Sequence, residues 1–110
     1  LKIYDEAHML AKAIKESPEY KRMKETQEKV RKNPNDWEMV TDYMKKQMEV
    51  QTMQMMGQEP TESQVEKFNQ MTSALMAIPA IAEYFHAQYT FSNIYQDVMK
   101  IITEGLDLGL

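Results

Sequence analysis

An all-α fold follows from three features of this 110-residue sequence. Apolar residues recur at steps of three and four along nearly the whole chain, which keeps them on one face of a helix. Only three glycines and four prolines occur, and each proline stands where a helix can begin or break. The third feature is a seam, Tyr84, Gln88, Phe91, Tyr95, Val98 and Ile102, that steps 4, 3, 4, 3, 4 as in a coiled coil.

The elements follow in order. Ile3, Ala7, Leu10, Ala11 and Ile14 share one face and predict a first helix over about 4–15. At SPEY, Ser17 can cap the free amides of a second helix and Pro18 fits its first turn, where no N–H is needed. That helix, about 18–32, carries Tyr20, Met23, Gln27 and Val30 at spacings of 3, 4 and 3. NPND repeats the signal: Asn33 as cap, Pro34 as first residue, and a helix over about 34–56 that Gly57 ends. After GQEP, Thr61 and Gln64 have the spacing of a capping box and open a helix over about 62–77 with Val65, Phe68, Thr72 and Leu75 on its face. Pro79 interrupts this helix. The seam then fills a last helix over about 80–104, broadened by Ile81, Ile94 and Ile101, and the tail EGLDLGL is expected to fray unless it docks.

The two longest helices would each span roughly 35 Å at about 1.5 Å per residue. Rods of matched length predict an antiparallel pair, and hence an elongated helical bundle formed by a single domain, 1–110. Rods that long leave flanks poorly covered and invite self-association.

Composition bounds the function. An apolar share of 43% and a charged share of 27% are those of a soluble globular chain. No run approaches the ~18 apolar residues of a membrane span. The 17 acids and 13 bases are interspersed, for a net charge of −4, so the bulk electrostatics do not call for a nucleic-acid partner. Absence of cysteine removes disulfides, thiolate metal sites and cysteine nucleophiles, and suits a reducing cytoplasm. The N-terminal segment lacks the basic flank and long apolar stretch of a signal peptide. Residue 1 is leucine, which leaves room for native residues ahead of it.

The third helix carries two apolar stripes. At 100° per residue, Trp37, Val40, Met44, Met48, Gln51 and Met55 fall within about 80° and are expected to be buried. Met39, Val50 and Met53 lie opposite, among Asp42, Lys46 and Glu49, with Met56 at the margin. A helix apolar on two sides usually sits between partners. Met39, Val50, Met53 and Met56 are therefore the candidate oligomer or partner interface, ahead of a second intrachain packing surface or tolerated surface methionines. A thioether site for a soft metal is the sharper reading. It fails on convergence, since the eleven methionines run from position 9 to position 99 and those near 50 divide between faces.

Asp5 with His8 and Glu83 with His86 have the acid-x-x-His spacing that facing helices can use to hold two metals. On their wheels both histidines point away from the expected core, so no metal, cofactor or catalytic site is assigned. No metalloprotease, phosphate-loop or nucleophile-elbow motif is present. KRMKETQEKVRK, 21–32, holds six bases, but Glu25 and Glu28 alternate with them at spacings typical of a solvated helix face, without aromatics for stacking on RNA.

The segments IYDEAHMLAKAIKESPEYK, the NP helix start, QMMGQEP, AIAEYFHAQYTFS and the ending EGLDLGL together resemble the YlbF/YmcA family of small helical proteins from Gram-positive bacteria, in particular its YheA-like branch. The resemblance covers nearly the whole chain and rests on packing and turn signatures. It implies a cytoplasmic, self-associating helical protein without an assigned catalytic site. Better-studied relatives are non-enzymatic accessory factors in complexes affecting ribonuclease Y-dependent RNA processing, sporulation, competence and biofilm formation. Relatives proposed to hold iron–sulfur clusters supply thiolates that this chain lacks, so that cofactor does not carry over. The function expected is therefore a non-enzymatic homo-oligomer, dimer or higher, that acts by binding a protein partner in a regulatory or accessory role. A metal-binding bundle and an RNA-associated module are the alternatives.

Overall fold

The computed structural model describes residues 1–107 and is all-helical: α1 Lys2–Glu16, α2 Pro18–Arg31, α3 Pro34–Met55, α4 Glu62–Met76 and α5 Pro79–Leu106. The fraying expected of the tail falls partly on 108–110, outside the described residues; within them α5 continues through Gly105 to Leu106. Contacts gather into two compact units, one of 1–27 with the chain from Tyr84 onward, the other Glu28–Glu83.

In the first unit Ser17 does two jobs at one break. Its hydroxyl donates to the Ile14 carbonyl at 2.6 Å, closing α1, and accepts from the Tyr20 amide at 3.3 Å, opening α2. Two contacts seven residues apart then fix α2 against α5. The Tyr20 ring meets Phe91 edge-on with centroids 5.5 Å apart, and Gln27 Nε2 donates to the Tyr84 hydroxyl at 3.3 Å. Moving up α2 by two turns moves down α5 by two turns, so the helices run antiparallel with a heptad register. Thr26, Tyr84 and Ala87 are buried here. The Thr26 hydroxyl lies 2.9 Å from the Arg22 carbonyl and 3.0 Å from that of Met23, so burial leaves it paired.

The second unit is built on an α3–α4 hairpin. Asn33 Oδ1 accepts from the amides of Asn35 and Asp36, at 3.1 and 3.3 Å, and Pro34 occupies the first turn of α3. The far end closes with a Schellman motif: the Gln58 amide reaches the Met53 carbonyl at 2.8 Å and the Gly57 amide that of Gln54 at 3.1 Å. This geometry needs a left-handed residue after the cap, and Gly57, at φ +77°, supplies it without a Cβ penalty. Thr61 and Gln64 then form the full reciprocal box at the start of α4, at 2.9 and 3.2 Å.

Along the hairpin the Tyr43 and Phe68 rings stack with centroids 5.0 Å apart, and the Thr72 hydroxyl lies 3.1 Å from that of Tyr43. Val30, Val40, Leu75 and Ile81 are the fully buried apolar side chains of this unit. Arg31 covers the Trp37 ring at 4.6 Å, and Lys29 pairs with Glu83 at 3.4 Å. Such exposed charges add little beside the apolar burial.

Two substitutions test these turns by thermal or urea unfolding. Gly57→Ala is expected to destabilise the second unit by about 1 kcal/mol, all of it from backbone strain, because an added Cβ meets nothing within 4 Å. Thr61→Ala removes one half of the box and is expected to cost about 1 kcal/mol.

Candidate interaction surfaces

The titratable residues singled out by the sequence do not converge. His8 and Asp5 are both exposed on α1. Exposed His86 lines a shallow depression with Pro18, Glu19, Arg22 and Thr90, and Glu83 is taken up by Lys29. Among the described residues no three of His, Cys, Asp and Glu come close enough to hold a metal ion. Of the six bases in 21–32, Lys24 bonds to Gln27, Lys29 pairs with Glu83, and Arg31 reaches both Glu28 and Trp37. No described helix is long and apolar enough to cross a membrane.

The candidate interface on α3 divides. Val50 and Met53 are half-buried and line a groove of about 180 Å³ with Phe68, Met71, Gln64 and Lys67 of α4. Met39 is half-buried as well, and Met56 alone of the four is exposed. Val50 and Met53, of the stripe expected to face outward, thus lie on the side of α3 on which α4 packs. The face expected to be buried is covered only near its start, where Val40 is buried and Trp37 and Met44 are half-buried; Met48 and Met55 are 67% and 89% exposed, and Gln51 is exposed too. The residue that decides between the faces is Tyr43. It lies on the wheel about 20° from Val50, on the side away from Met39, and its ring stacks on Phe68 of α4.

A larger apolar surface lies in the first unit. The repeat on α1 predicted a buried face, yet α1 has no buried residue, and Ile3 is 71% exposed. On α5 burial fades along the seam. Tyr84 and Ala87 are buried and Phe91 is half-buried. Beyond them the seam residues Tyr95 and Ile102 are 51% and 40% exposed with Val98 half-buried between them, and Met99 and Leu106 on the same side are 44% and 60% exposed. The reason lies in the register: α2 begins at Pro18, only about half a turn before the Tyr20–Phe91 contact, so α5 runs on past the start of its partner.

Comparison with known proteins places this architecture. A family model described as "Control of competence regulator ComK, YlbF/YmcA" matches residues 3–107. A UPF0342 protein of Caldicellulosiruptor saccharolyticus is 40% identical over 106 residues, covering 96% of this chain and 88% of the relative. A UPF0342 protein of Symbiobacterium thermophilum is 37% identical over 108 residues, covering 98% and 96%. In structure the chain is similar to a protein of unknown function (DUF964) from Bacillus stearothermophilus. The TM-score is 0.83 over 97% of this chain and 94% of that one, at 19% identity, a likeness of fold. With the helices, their caps and a match spanning nearly its whole length, the chain belongs to the YlbF/YmcA family.

Proposed function

We propose that this protein is a non-enzymatic accessory or regulatory factor of the cytoplasm that works by assembling with protein chains, its own copies included. The observation that carries the reading is the uncovered apolar surface of α1 and distal α5. A helix of 15 residues is marginal by itself in water. Since α1 has neither a buried side chain nor a side-chain N-cap, it gains most of its stability only when something packs on it. The regulatory half of the reading leans on the family description, which concerns control of a competence regulator. The metal and RNA readings have less behind them. The two histidines stand on separate exposed helices, and half of the basic segment is engaged within the chain.

Light scattering at tens of micromolar is expected to give a mass of at least twice 12.9 kDa; a clean monomer would contradict the reading. Met53→Glu places a charge in the α3–α4 groove and is expected to cost roughly 1–3 kcal/mol in unfolding experiments while the assembly mass of the folded fraction stays unchanged. A drop in mass at constant stability would return Met53 to an intermolecular interface.

A further inference from the structure

We infer that the uncovered surface of the first unit is a two-fold pairing surface for a second copy of this chain, with α1 of each copy lying along the distal half of α5 of the other. The inference rests on the self-assembly proposed above and names its geometry. Beyond the Tyr20–Phe91 contact α5 extends from Ser92 to Leu106 without α2 beside it, a stretch of about 22 Å at 1.5 Å per residue. At 15 residues α1 has the same length. It departs from Ser17, at the end of the α2–α5 pair where α5 loses its cover. Yet no residue of the chain's own α1 is buried, and Ile14 alone of them is half-buried, so the apolar face of α1 is left largely open.

The surface is large enough for the task. Ile3, Tyr4 and Leu10 on one side of α1 and Tyr95, Met99, Ile102 and Leu106 on one side of α5 are 38–71% exposed. At up to ~200 Å² for a large side chain they present roughly 700 Å². The largest apolar patch of a typical monomer is about 300–600 Å², and a standard interface takes about 800 Å² from each partner. An isologous pair uses the surface twice, so each copy contributes both the arm and the seam that receives it.

Charge selects this occupant over a polyanion or a lipid surface. Lys2, Lys12 and Lys15 on α1 are matched in number by Asp5, Glu6 and Glu16. Distal α5 carries Asp97, Lys100 and Glu104. A helix that lies on a bilayer needs a basic polar face, and a nucleic-acid surface needs a basic excess. Here the rim is mixed, as suits two copies of one chain.

Because the chain has no cysteine, single thiols report the contact cleanly. Leu10→Cys and Ile102→Cys, each at a position about 40% exposed, would be prepared separately, checked for helicity, mixed and oxidised mildly. The expected product is a disulfide-linked heterodimer joining one variant to the other, at least tenfold above the yield with Met55→Cys, a fully accessible control on α3. Ile3→Glu and Leu106→Glu are expected to raise the dimer dissociation constant at least tenfold with unchanged helicity. A wild-type dimer that cross-links no better through Leu10→Cys and Ile102→Cys than through the control would overturn this pairing and leave self-assembly standing. A wild-type monomer, or a monomer that floats with anionic phospholipid vesicles, would overturn both.

Discussion

The antiparallel packing of α2 on the first part of α5 is the constraint from which the rest of the first unit follows. Tyr20 against Phe91 and Gln27 against Tyr84 set the register, and Thr26, Tyr84 and Ala87 fill the space between them. Ser17 caps the start of α2 close to the level of Phe91, so α2 follows α5 no further. A heptad seam longer than its partner must leave part of itself in water. That is the state of Tyr95, Met99, Ile102 and Leu106. Across the same break α1 carries an apolar face of which Ile14 alone is half-buried. The surface on which function is proposed is thus the remainder of an incomplete helix pair.

The second unit solves its burial problem internally. Its hairpin is held at the turn by the Schellman motif around Gly57 and the box at Thr61, which bring α4 back along α3. The Tyr43–Phe68 stack then decides which of the two apolar stripes of α3 is covered. One stripe packs on α4 through Val50 and Met53, and the other is covered only near its start, by burial of Val40 and half-burial of Trp37 and Met44. The exposed remainder, Met48, Met55 and Met56, is small beside the surface of the first unit. Methionine tolerates such positions because its flexible thioether loses little in water and adapts to whatever approaches.

Local chemistry made the helices legible. Caps at Ser17, Asn33 and Thr61, prolines at 18, 34 and 79, and the glycine at 57 act within a few residues of themselves, so the sequence states where helices begin and end. Faces were harder. On α3 the wheel identified both stripes but ranked them by apolar content, counting Met39, Val50 and Met53 as the thinner one and leaving Tyr43 out. The ring was worth more than the count, because a stacked aromatic pair and the area beneath it outweigh one more methionine. On α1 and distal α5 periodicity identified the apolar residues correctly. It could not say whether their cover lies in the same chain, because a buried face and a face awaiting a partner have the same period.

Same-chain core and surface between chains differ in how they respond to dilution, and the proposed assembly requires the second. The most direct test is amide hydrogen exchange of α1 followed as a function of protein concentration. If α1 is held by a second copy, its amides exchange fast in dilute solution and become protected as concentration rises, together with those of 95–106, while the α3–α4 hairpin is unaffected. Exchange in α1 that stays fast at every concentration, or that is slow even at the highest dilution, would contradict it.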